Sequence, residues 1–120
     1  MKANEFLGLL FLARDVTHSV HWNTRSFSKH DALNIFYDRI IGAADDFAET
    51  YQGRHGLVGQ ITLQSAKKTA NVIEFLEDSL KQIEAGRYEV CDKSDTALQQ
   101  LIDNIVEIYL RTLYKLRFLA

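Results

Sequence analysis

Apolar residues recur at three- and four-residue steps in four separate stretches of this chain, and no proline interrupts any of them. That period is the signature of amphipathic helices, and a proline inside one would cost about 3 kcal/mol. The reading is an all-α chain, a four-helix bundle. With 120 residues, 47% of them hydrophobic, it forms a single domain over 1–120 with enough apolar surface for its own core.

The first helix is expected from about Asn4 to Asn23, with Phe6, Leu9, Ala13, Val16 and Val20 as its stripe. The second starts near Lys29, where Ser28 and Asp31 form an S-x-x-D capping pattern, and stops at Gly53. Its stripe is Leu33, Phe36, Ile40, Ala44, Phe47 and Tyr51. The third runs from about Ala70 to Ala85, with Gly86 as C-cap. The fourth follows a cap at Ser94 or Asp95 and carries the longest seam: Leu98, Leu101, Ile102, Ile105, Tyr109, Leu113 and Leu116.

Between helices two and three, "GRHGLVGQITLQSAKKT" holds three glycines and a period-two patch at Ile61 and Leu63, which reads as extended chain. Sixteen residues, Arg54 to Thr69, could reach ~50 Å at ~3.3 Å each. A second helix of about 24 residues is only ~36 Å long. This connection can therefore run the length of the bundle while the other two are short, which is the ferritin-like arrangement. The alternative is a plain up-down-up-down bundle with helix three beginning near Leu57.

The formal charge of −2 and the absence of a basic tail exclude the usual footprint of a nucleic-acid binder, so no DNA binding is expected. "FLGLLFLA", Phe6 to Ala13, is too short to span a bilayer and lacks the flanks of a signal peptide, so no membrane is expected either. One cysteine, Cys91, allows no internal disulfide and suits a reducing, cytoplasmic setting. It reads as a small loop residue, and His55 in "GRHG" as a solvated loop histidine. No glycine-rich phosphate loop is present.

Chemistry-bearing residues concentrate on helix two. With about 100° of turn per residue, Asn34, Asp45 and Glu49 fall within about 100° of His30 around the axis, on the flank of the apolar stripe. Leu7, Phe11, Arg14, His18, His21 and Arg25 form a matching flank on helix one. Leu7, Phe11, Trp22, Tyr37 and Ile41 make these flanks half-apolar, which points to a subunit interface. An imidazole with two carboxylates one turn apart suits iron, manganese or zinc.

"HWN" at His21–Asn23, a further histidine, and "DDFAE" at Asp45–Glu49 resemble the Dps-like branch of the ferritin-like superfamily. The chain is most similar to small phage-encoded Dps-like proteins, through "HWNTRSFSKHDALNIFYDRI", "AETYQGRHG" and "LQQLIDNIVEIYLRTLYKLRFL". In that family the second histidine is followed at +15 by Asp and at +19 by Glu, as His30 is here by Asp45 and Glu49. The resemblance implies a homo-oligomer, at least a dimer, that binds iron (or zinc or manganese) between subunits. It implies ferroxidation, the oxidation of Fe²⁺ by O₂ or H₂O₂, as the activity. His30, Asp45 and Glu49 are the implied ligands, with His21 or His18 from a partner chain. His21 matches by its Trp-Asn neighbours, and His18 by its twelve-residue spacing from His30. The chain departs from the pattern at Asn34, where the family carries Asp, and in having no basic tail and no room for the small crossover helix. A second class stands beside this one: a non-enzymatic, phage-encoded helical oligomer in a bacterial cytoplasm that sequesters a host protein or a small anionic nucleotide. Arg14, Arg25, Lys29 and Arg54 would supply its cations, and Trp22 or Tyr37 a stacking surface.

Overall fold

The computed structural model describes residues 1–66 and 71–120. Four helices make up the fold: α1 (Ala3–Asn23), α2 (Phe27–His55), α3 (Val72–Val90) and α4 (Thr96–Phe118). No strand occurs among the described residues.

Each start has a local cause. The Lys2 backbone N–H donates to Glu5 Oε1 at 2.9 Å ahead of α1. Ser26 Oγ accepts from the Lys29 N–H at 3.2 Å and caps α2. The cap is thus two residues earlier than the S-x-x-D pattern suggested, because Ser26 is the last residue with extended backbone. Asn71 accepts from the Ile73 and Glu74 N–H groups ahead of α3. Asp95 does the same for Leu98 ahead of α4, as expected.

Two helix ends differ from the sequence reading. Helix α2 passes Gly53 and stops at Gly56, whose φ of 86° ends it. His55 is therefore the last helical residue, its ring 4.7 Å from that of Tyr51. Helix α3 continues through Gly86 to Val90. Gly86 is buried where a Cβ would come within 3.1 Å of Met1, so it is a close-packing residue and not a cap. The expected start of α3 at Ala70 lies outside the described residues.

Helix α1 packs on α2 and α3, and α4 packs on the same two, so α1 and α4 are diagonal. The α1–α2 and α3–α4 connections are short. The α2–α3 connection starts beside the N-terminus of α1, where Asn4 Nδ2 donates to Gln60 O (3.4 Å) and Gln64 Nε2 to Glu5 O (3.0 Å). It ends beside the C-terminus of α1, where Val72 and Ile73 share a cleft with Val20 and Asn23. The two ends of the connection thus lie at opposite ends of the bundle, and α3 lies parallel to α2. Gly8 makes this possible: a Cβ there would overlap the Thr62 carbonyl oxygen.

Phe6, Leu10, Leu33, Phe36, Ile40, Phe47, Leu76, Ile83, Ile105 and Tyr109 form the centre of the core. Phe6 meets Phe47 and Phe36 meets Tyr109 edge-on, at 4.9 and 5.0 Å. The α2 and α4 seams are buried nearly as read. Helix α1 is rotated: Leu7, Leu10, Thr17 and His21 are buried, while Val16 and Val20 are only half-buried. Leu7 and His21 therefore leave the flank to which their spacing assigned them. No described helix is long and apolar enough to cross a membrane.

Candidate metal centre

The site grows from the turn between α1 and α2. Only Thr24, Arg25 and Ser26 separate the helices, and the Ser26 N–H donates to Thr24 Oγ1 at 3.2 Å. So tight a turn sets the last turn of α1 against the first of α2. His21 and His30 meet there with ring centroids 3.6 Å apart and planes 20° from parallel.

Each of these rings is anchored by the other's backbone. His21 Nδ1 lies 2.7 Å from His30 O, and His30 Nδ1 lies 2.9 Å from His21 O. A carbonyl oxygen only accepts, so each Nδ1 carries the hydrogen. The neutral form of each ring then holds its lone pair on Nε2. Neither Nε2 has a hydrogen-bond partner among the described residues. No buried side-chain nitrogen or oxygen among them lacks a partner, so both Nε2 atoms reach solvent, although His21 is only 7% exposed.

A second layer of rings lies alongside. His18 stacks on Tyr37 at 4.0 Å and 14°, and touches Trp22 at 4.4 Å. The Tyr37 hydroxyl donates to Asn34 Oδ1 at 2.5 Å, and Asn34 Nδ2 donates to Asp38 Oδ2 at 3.4 Å. The amide oxygen of Asn34 is thus already engaged by a donor. Tyr37 is the residue whose part the sequence reading missed; its i+3 spacing from Asn34 was the available signal.

Asp45 and Glu49 are exposed, one turn apart, and make no side-chain hydrogen bond or ion pair among the described residues. They stand far from the histidines: fifteen residues of α2 place Asp45 about 22 Å along the axis from His30. No three His, Cys, Asp or Glu side chains among the described residues are grouped to hold a metal within one chain. The sequence reading grouped His30 with Asp45 and Glu49 and took His18 or His21 from a partner. The geometry regroups them, with His21 and His30 adjacent in one chain and the two acids at the far end of the same helix.

Of the cations offered for an anion, Arg14 pairs with Asp15 at 3.1 Å and Arg54 with Asp95 at 2.8 Å. Arg25 and Lys29 make no ion pair among the described residues. Cys91 is buried, receives the Gln99 amide at 3.2 Å, and has its thiol pushed up chiefly by that burial.

The model of a family of unknown function, DUF5856, matches residues 21–116. The chain belongs to that family. The match begins at His21 and takes in His30, Asp45 and Glu49. The chain is also similar to the "Uncharacterized 14.6 kDa protein in mobD-ri intergenic region" of Enterobacteria phage T4. The two are 29% identical over 116 residues, covering 96% of this chain and 88% of that one. No solved structure matches. Membership in DUF5856 and a phage relative are thus in hand; membership in the Dps-like branch finds no match among these comparisons.

Proposed function

We propose that this DUF5856 protein binds a transition metal, iron first, between two copies of itself and oxidises Fe²⁺ with O₂ or H₂O₂. The observation that carries the reading is the pair of Nδ1-anchored imidazoles at the α1–α2 turn, each with an Nε2 that bonds no described residue and that solvent reaches. Anchoring one ring nitrogen to a carbonyl fixes the tautomer and orients the other as a ligand. The flank around them is half-apolar, with Phe11, Tyr37 and Ile41 half-buried and Trp22 71% exposed, as a surface awaiting a partner is.

A two-fold axis that lays α2 antiparallel on α2 of a second copy solves the distance problem. His21 and His30 of one chain then face Asp45 and Glu49 of the other, twice per dimer. Fe²⁺ and the oxidant are both substrates. The imidazoles hold the metal, and the carboxylates, as hard anionic donors, favour it increasingly as its charge rises. Asn34, held by Tyr37, lines the site without contributing charge.

Metal analysis of protein purified without chelator, with Fe²⁺ oxidation followed by absorbance, tests this. We expect about one metal or more per dimer, and oxidation lost in His30→Ala and in Asp45→Ala/Glu49→Ala. Iron, zinc and manganese all well below one per dimer, with Fe²⁺ oxidised no faster than in buffer, would overturn it.

A second reading rests on a different observation. Arg25 and Lys29 make no ion pair among the described residues and stand at the α1–α2 turn beside Trp22 and Phe27, which are 71% and 81% exposed. Cations next to exposed rings suit a phage-encoded oligomer that sequesters an anionic nucleotide or a host protein. In that case a nucleotide raises the melting temperature, and His30→Ala leaves the effect intact.

A further inference from the structure

We infer that the outer face of α3 and α4 binds a second copy of this chain through a two-fold axis at Leu110. The surface is separate from the α1–α2 flank and lies on the opposite side of the bundle. Leu110, Tyr114 and Phe118 follow one another at i, i+4 and i+8 along α4, and all are half or more exposed. Tyr88 on α3 is 54% exposed. The Arg87 and Lys93 cations stand 5.8 and 5.3 Å from its ring centroid. A buried seam and a second, outward apolar stripe on one helix signal two partners.

The order of charges selects the occupant. Asp103 and Arg117 stand seven residues before and after Leu110. An antiparallel copy with Leu110 on Leu110 sets Asp103 against Arg117 of the second copy, and the reverse. Glu107 then comes opposite position 113 of the second copy, one residue from Tyr114, whose hydroxyl can donate to it. Arg87 bonds Asp103 at 2.6 Å, so Tyr88 sits beside the start of α4. It therefore meets Phe118, at the end of α4 in the second copy. Among the described residues of one chain Asp103, Glu107 and Arg117 each have one ion partner, Arg87, Arg111 and Glu77, so the second copy adds to these pairs without displacing them.

The size agrees. Helices α3 and α4 are 19 and 23 residues long, about 30 Å. Two helices side by side present a face ~20 Å wide. That projects to about 600 Å², which side-chain relief brings close to the ~800 Å² per partner of a specific interface. Isologous contacts on opposite faces build an assembly larger than a dimer.

Sedimentation velocity with chelator present, together with disulfide trapping, tests this independently of the metal reading. We expect Leu110→Glu to halve the sedimenting mass with its melting temperature within a few degrees of the native chain. Leu110→Cys should form an inter-chain disulfide under mild oxidation far more readily than Asn104→Cys, which is exposed but off the axis. Equal masses for the native chain and Leu110→Glu, with Leu110→Cys trapped no better than Asn104→Cys, would overturn the proposal. The face would then belong to solvent or to a different protein.

Discussion

Tyr109 shows how a single buried hydroxyl is accommodated. Its ring packs on Phe36 in the core, and its hydroxyl and that of Ser79 lie 2.8 Å apart, either one donating. Burial pushes the phenol well above its ordinary range, and the Ser79 bond only partly offsets this. Tyr109→Phe is expected to cost about 1 kcal/mol in urea unfolding, since Ser79 is left in the core without its partner. Above about pH 10 the unfolded chain loses the Tyr109 proton while the folded chain keeps it. The unfolded state then binds fewer protons, so stability falls as pH rises. The native chain should lose stability with alkali faster than Tyr109→Phe, which unfolding curves at pH 8 and 10.5 would show. Cys91 is a second case. Burial first, then the Asp95 and Asp92 carboxylates, raise its thiol against the opposing pull of Arg87. A thiol reagent at pH 8 should label the folded chain at least ~10-fold more slowly than the urea-unfolded chain. Tyr109 was legible as a core residue from the α4 seam. Its hydroxyl partner was not, because Ser79 lies on another helix.

At the scale of the element, the caps decide where helices begin and a glycine decides where the crossover lies. Two serines compete for the start of α2, and only Ser26 accepts the Lys29 N–H. Ser26→Ala should therefore lower stability by about 1 kcal/mol. Ser28→Ala, whose hydroxyl lies within the first turn, should change it by a few tenths at most; paired thermal melts would distinguish the two. Gly8 is the stronger case. A methyl group there meets backbone, the Thr62 carbonyl, which cannot swing aside as a side chain would. Gly8→Ala gains helix propensity of about 1 kcal/mol but forces the crossover off α1. It should destabilise by about 1–3 kcal/mol net and open residues 60–66 to limited proteolysis. The α1 stripe was misread for the same reason. Its periodicity put Val16 and Val20 inward, but α1 must serve α2 on one side and α3 with the crossover on the other. It therefore buries Thr17 and His21: Thr17 Oγ1 donates to Ala13 O at 2.7 Å, and His21 Nδ1 donates to the His30 carbonyl.

For the whole molecule, each of the two proposed faces can be broken without the other. If the α1–α2 flanks pair, Ile41→Glu should abolish both that contact and Fe²⁺ oxidation, as read by sedimentation and absorbance, while the α3–α4 contact persists. The helical class, the number of helices and the α2 and α4 seams were legible in the sequence, which favoured the long crossover while leaving a plain up-down-up-down bundle open. Those follow from periodicity and from the reach of sixteen residues, which are local properties of a chain. It also carried the order of His30, Asp45 and Glu49, since spacing along one helix is a local property too. It took the packing of the helices to bring His21 onto His30 and to turn Leu7 and His21 inward from the α1 flank. Those facts depend on how a three-residue turn sets one helix against the next and on how each helix is rotated about its axis. Rotation is set by the neighbours a helix must bury itself against, and no periodicity within a single helix contains that information.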